Sequence, residues 1–209
     1  MKKHFFFLMA AACIVLAACT PEGQFASSDL KMYELKGNVK SVKVMMVTMD
    51  IENLAYTLAF DENGVATAHR YDKLWEGEPT ISVERNEKGQ MTAYTSIYSD
   101  AEIYNVDAKY SYDSNGLLTT IEALWDGESN SKEMIEYDGQ SNRAKTITEF
   151  YDYDVTAVEE IKYSYSSFDD KGNWTERVLN ISNYIKEEDG SVSDNTDMAI
   201  IERREIIYY

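Results

Sequence analysis

The feature that most restricts this chain is a turn that it writes several times over. Asp61-Glu62-Asn63-Gly64, Asn86-Glu87-Lys88-Gly89, Asp113-Ser114-Asn115-Gly116 and Asp169-Asp170-Lys171-Gly172 share one pattern. Asp or Asn opens each turn by accepting backbone N–H groups, and Gly closes it by taking positive φ without a Cβ clash. Asn63-Gly64 and Asn115-Gly116 are strong short-range hairpin signals. The stretch 137–142, YDGQSN, reads as a degenerate copy with its glycine moved forward. Between these turns the chain alternates. Tyr104, Val106, Ala108, Tyr110 and Tyr112 fall on one face, with Asn105, Asp107, Lys109 and Ser111 on the other. Ile161, Tyr163 and Tyr165 likewise share a face. Period two, the mark of a half-buried strand, prevails over period 3.6.

A longer beat overlies the short one. LWEGEP (74–79) and LWDGES (124–129) are offset by 50 residues, as are Gly89 and Gly139, while Gly64 and Gly116 are 52 apart. The building block is therefore two hairpins, with a tight Asx-Gly turn alternating with a looser Trp-acid-Gly loop. Repeats of this kind usually stack in a quasi-linear array, each burying a face against its neighbours. The expectation is an all-β domain over residues 35–209, built of tandem antiparallel β-hairpins in a curled meander sheet. That sheet is either an open shell or rolled into a barrel or sandwich, with about ten to twelve strands.

The pairs Tyr71-Asp72, Tyr112-Asp113, Tyr137-Asp138, Tyr151-Asp152 and Tyr153-Asp154, with FDENG and FDDKGN, resemble YD (RHS-type) repeats over roughly residues 36–209. The resemblance implies a continuous antiparallel sheet that curls or rolls on itself. Members of that family are usually far longer and carry a toxic or adhesive domain. No such domain is expected here, so toxin delivery is not carried over.

The N-terminus is a targeting segment. Lys2 and Lys3 precede an apolar run from Phe5 to Leu16, too short for a bilayer crossing of roughly 20 residues. Leu16-Ala17-Ala18-Cys19 follows at once and resembles the bacterial lipoprotein lipobox. The resemblance implies removal of residues 1–18, lipid on Cys19, and attachment to the membrane through two or three acyl chains. Residues 19–34, beginning TPEGQFASSD after the cysteine, read as a flexible tether. Thr20-Pro21 lacks the acidic second residue of inner-membrane retention, so the expected location is the outer membrane, on its periplasmic face or at the cell surface.

Cys13 leaves with the signal and Cys19 carries lipid, so the mature domain has no thiol for a disulfide, a metal or a nucleophile. His69 is then the sole imidazole. Acidic residues outnumber basic ones 37 to 20, for a net charge of −17. Such a surface repels phosphate backbones, which argues against nucleic acid as a partner.

Candidate sites are few. Trp75, Trp125 and Trp174 offer flat faces for sugar stacking or, alternatively, cover hairpin ends; Trp174, beside a turn, reads as structural. Asp61, Asn63, Asp113, Asn115, Asp169 and Asp170 carry oxygens suited to Ca²⁺, but each turn is too short to supply a full shell and the EF-hand spacing is missing. Backbone capping accounts for them, so neither metal nor cofactor is expected. His69 sits in a strand with no G-x-S-x-G motif anywhere, and no pair of acids stands out for glycoside hydrolysis. The last strand, DMAIIERREIIYY, reads as an edge guarded by Arg203 and Arg204 and open to strand addition. The expected function is a non-enzymatic binding or interaction module on the outer membrane. Its partner would be an envelope protein or a glycan. The alternatives are a glycan-binding or carboxylate-dependent glycan-processing protein and a structural envelope component.

Overall fold

The protein is described by a computed structural model covering Phe25 and residues 27–49, 51–71, 80–97, 106–125, 127–152, 155–187 and 189–209. Among the described residues it is all-β apart from one five-residue helix, α1 (Ser28–Met32). The first strands are β1 (Val39–Thr48), β2 (Ile51–Phe60), β3 (Ala66–Tyr71) and β4 (Thr80–Arg85). Then come β5 (Met91–Ile97), β6 (Val106–Tyr112), β7 (Leu118–Trp125) and β8 (Glu128–Tyr137). β9 (Arg143–Asp152) follows, and the three longest close the chain: β10 (Val155–Phe168), β11 (Trp174–Lys186) and β12 (Val192–Tyr208).

Among the described residues these form one 12-stranded antiparallel sheet, ordered β3-β2-β1-β12-β11-β10-β9-β8-β7-β6-β5-β4. The chain is a meander from β4 to β12. There β1 pairs along β12, and the sheet continues through β2 to β3. This is the antiparallel meander sheet expected of the tandem hairpins, with the N-terminal strands added alongside β12. Its two edges, β3 and β4, are neighbours in sequence. β12 is not an edge strand; it lies between β1 and β11. Arg203 and Arg204 guard nothing. Arg203 points out to Glu176, 2.8 Å away, and Arg204 points in, only 7% exposed.

The repeated turn has one geometry. In each, the first residue's N–H donates to the carbonyl four residues on, and the fourth residue's N–H donates back to the first carbonyl; Asp61/Val65 and Gly64/Asp61 are examples at 3.0 and 2.9 Å. The Oδ1 of Asp61, Asn86, Asp138 and Asp169 accepts two further backbone N–H bonds, and that of Asp113 accepts one from Leu117. The side chains of Asp61, Asp113 and Asp169, three of the oxygen donors named for Ca²⁺, are thus engaged by backbone N–H groups. A register shift follows each turn, as a type I turn closed by a left-handed residue requires. Gly64, Gly89, Gly116 and Gly172 take that position at φ 75–79°. In the degenerate copy Ser141 takes it, at φ 66°.

The turns 61–64, 86–89, 113–116, 138–141 and 169–172 all fall at one end of the sheet, the turn end, beside Val39 and Tyr208. The connections from β1 to β2, β7 to β8 and β11 to β12 lie at the other, the loop end. The core sits at the turn end. Val39, Val42, Val44, Leu58 and Phe60 gather there around Leu30 and Leu35, and Leu118 and Ile135 around Met32.

The other face carries a series of ion pairs. Lys43–Glu205 (3.3 Å), Lys145–Glu160 (3.0 Å), Lys162–Glu160 (3.0 Å) and Arg203–Glu176 (2.8 Å) run across mid-strand positions. Charged side chains there would cost roughly 2–4 kcal/mol each against hydrocarbon, so this sheet is not a bilayer-spanning barrel. Among the described residues no helix is long and apolar enough to cross a membrane.

Ser141 is an L-residue held where Gly is favoured. Ser141→Gly is expected to stabilise the protein by about 1 kcal/mol, raising the melting temperature by roughly 2–4 °C. A calorimetric melt that falls instead would mean that the serine side chain contributes more than its backbone strain costs.

Candidate functional site

Residues 27–36, most of them read as tether, are folded, and they close the turn end. Ser27 caps α1 by accepting from Leu30 N at 3.0 Å. The helix stops in a Schellman pattern, with Leu35 N donating to Leu30 O at 2.8 Å and Glu34 N to Lys31 O at 3.1 Å. Its usual hydrophobic clasp is present, because Leu30 and Leu35 share one buried cluster. The position that such a motif gives to glycine is held by Glu34, at φ 56°.

From this segment a polar contact runs to each turn of the end. Ser27 Oγ donates to Gly64 O at 2.5 Å and Ser28 Oγ to Gly89 O at 2.8 Å. Lys31 Nζ donates to Asn115 O, and Glu34 Oε1 accepts from Arg143 N at 2.6 Å. Lys36 N donates to Asn173 Oδ1 at 2.6 Å. Asp29, 2% exposed, joins the sheet's two edges: Ala66 N at the start of β3 donates to it at 2.9 Å, and Arg85 at the end of β4 holds it at 2.6 and 2.7 Å. The segment is a plug. At Gly64 it sits so close that a Cβ would lie 2.6 Å from Leu30 Cδ1, so that glycine is required by contact as well as by φ.

Beneath the plug lies a buried charge cluster. Glu34 Oε2 is 3.2 Å from Arg177 Nη1 and 3.8 Å from Arg143 Nε, and Arg177 Nε donates to Glu202 at 2.6 Å. Arg177 stacks on Trp174 (4.0 Å) and Tyr163 (4.4 Å), and Arg204 lies 3.5 Å over the same indole while donating to Tyr33 O. Desolvated cation–π contacts of this kind contribute about 2 kcal/mol each. Burial opposes ionisation of Glu34, but Arg177, Arg143 and Arg204 outweigh it and hold the carboxyl below its ordinary 4.5. Burial likewise pushes Tyr137 up to about 12; its hydroxyl donates to Leu118 O at 2.8 Å.

Beyond the cluster the same face opens. On β6 Ala108 is 3% exposed and Val106, two residues nearer the loop end, is 41%. On β12 Arg204 is 7% exposed and Met198 is 50%. Ile81, Val83 and Phe150 are also exposed, and the strand register places all five of these apolar residues on the inner face. The result is a hollow, stoppered at one end, with an uncovered apolar wall at the other. A shallow cavity of about 310 Å³ in that wall is lined by Phe150, Ala157, Glu159, Asn183 and Ile185, among others. Burial first, and then Glu133, raises the Glu159 carboxyl above its ordinary value.

Of the tryptophans, Trp174 is fully buried under Arg177 and Arg204. Trp75 and the side chain of Trp125 lie outside the described residues, so the sugar platform has no described geometry. The His69 side chain is also outside them; its backbone pairs with Leu58 on β2. Cys19 precedes the described residues. What the sequence reading missed is the plug and its partners, Glu34, Arg143, Arg177 and Arg204. The overlooked signal was Ser27 followed by Asp29 and Leu30, a helix-start pattern inside a segment judged by composition.

No protein-family model matches this chain, and no curated protein matches it. Among solved structures it is similar to the crystal structure of a porin-like protein from Bacteroides uniformis. That similarity has 14% identity and a TM-score of 0.45, and it covers 82% of this chain and 99% of the other.

Two substitutions separate the charge of Glu34 from its backbone. Glu34→Gly relieves the positive φ yet is expected to destabilise, as is Glu34→Gln, by roughly 3–5 kcal/mol, because buried arginines lose their counter-charge. Urea titration checks this. Because the folded carboxyl titrates below 4.5, its contribution is complete above that pH and disappears as pH falls through the folded value. The acid limb of stability should therefore flatten in Glu34→Gln.

Proposed function

We propose that this chain is a lipid-anchored envelope protein that binds a ligand in the hollow of its sheet, without catalysing a reaction. One observation carries the reading. The same inner face is sealed by the plug at the turn end and left apolar and exposed at the loop end, from 3% at Ala108 to 41% at Val106 and 50% at Met198. A monomer keeps apolar area of this kind uncovered chiefly where something binds.

The anchor adds a direction. If Cys19 carries lipid, the six residues from it to Phe25 span at most about 20 Å. The plug then faces the membrane, and the open mouth points away from it, toward whatever the protein receives. The lipobox resemblance supports placement in the outer membrane. The YD likeness supports a binding scaffold, since its shared feature is the turn that builds the sheet.

Two experiments test the reading. Cys19→Ala should move the protein from the membrane fraction to the soluble fraction of its native host; unchanged fractionation would remove the lipid anchor. An environment-sensitive apolar dye should brighten on the chain from residue 20 onward, which keeps every described contact. Phe150→Arg with Met198→Lys should abolish the signal while the melting temperature holds. Brightening that survives both substitutions would place the dye elsewhere and overturn the hollow as the binding site.

A further inference from the structure

We propose that the hollow takes a single-chain amphiphile with a cationic head, its alkyl chain against Phe150, Ala157 and Ile185 and its head beside Glu159. The inference rests on the hollow being a binding site and adds the class of ligand. The cavity, about 310 Å³, has room for roughly ten groups the size of a methylene. Phe150, Ala157 and Ile185 lie in register on three adjacent strands, so they form one continuous apolar strip across the sheet. That is the shape of an alkyl chain rather than of a flat ring.

The head is argued from charge. Glu159 stands one register pair further in, between Thr148 on β9 and Asn183 on β11, both uncharged. It has no ion-pair partner among the described residues. The charged group that acts on it is Glu133, of like sign and already paired with Arg143 at 3.3 Å. From Thr146 to the loop end, no described side chain on the inner face of β8 to β12 is basic. The rim continues the bias: Glu128, Asp189 and Asp197 are exposed at that end, against Lys186. A half-buried carboxylate with apolar neighbours and no counter-charge is completed by a cation that arrives with its own apolar tail.

The test uses the chain from residue 20 onward and three twelve-carbon probes below their micellar concentrations: dodecyltrimethylammonium, dodecyl maltoside and dodecyl sulfate. Calorimetry should show the cationic probe binding roughly tenfold tighter than the neutral one, the effect of a single partly screened ion pair. Glu159→Gln should remove that preference. Glu149→Gln, on the outer face of the adjacent strand, should leave it intact. Equal binding of all three probes, or preference for the sulfate, overturns the proposal while the hollow stands as an apolar site. Equal losses in both variants also overturn it, because the attraction would then come from the protein's overall charge. Binding of none overturns the hollow itself.

Discussion

The buried carboxylate of Glu34 is the interaction on which the rest depends. It sits on a ten-residue plug between Arg177 and Arg143, while Arg177 also pairs with Glu202 and stacks on Trp174. Glu34 also accepts from the Tyr165 hydroxyl on β10 at 3.1 Å, so one carboxylate ties the plug to β9, β10 and β11 at once. Removing three guanidinium groups from water is costly, and only close pairing and aromatic contact offset it. The same cost makes the junction specific. No neutral residue at position 34 could neutralise that cluster, which accounts for a glutamate held where a helix end normally takes glycine.

The plug also decides how the sheet is finished. A meander of 12 strands leaves two edges, and exposed edges invite association. Here the edges are β3 and β4, and Asp29 draws them toward each other at the turn end through Ala66 N and Arg85. Leu30 and Leu35 meanwhile fill the β1–β2 side, and Met32 fills the β6–β8 side. Stability is therefore concentrated at one end, where the core and nearly all the buried polar bonds lie. Among the described residues the loop end has neither plug nor opposing layer, and Val106, Phe150 and Met198 are exposed there. A sheet packed at one end and exposed and apolar at the other suits holding a ligand better than spanning a bilayer. The mid-strand lysines and glutamates of the outer face point the same way.

Strand, turn and repeat were legible in the sequence because they are local. Asp61 through Gly64 encode their turn in four consecutive residues, and the alternation around Tyr110 needs only its neighbours. The five Asx-opened turns share one end because every second connection of an antiparallel meander falls on the same side. The plug was not legible in the same way. Ser27, Asp29 and Glu34 act on partners 37 to 143 residues away, and a short polar stretch has the composition of a tether whether or not it docks. The edge assigned to β12 failed for a related reason. Ile206 and Tyr208 pack against the core around Leu30 and Leu35 while Ile207 stays exposed on the outer face, and pairing with β1, 150 residues or more away, is announced by no local pattern.

By itself, the sequence determined that this chain would be antiparallel β, punctuated by Asx-Gly turns, acidic, and without a cysteine after residue 19. Each of these follows from side-chain chemistry acting over a few residues or from simple summation. Only the tertiary structure decided that β1 would pair with β12, that the N-terminal segment would stopper one end, and that Glu34 would be buried among arginines. Those outcomes depend on which distant groups meet in a low-dielectric interior, where pairing a charge or leaving it unpaired differs by several kcal/mol. That difference arises only once the sheet has curled.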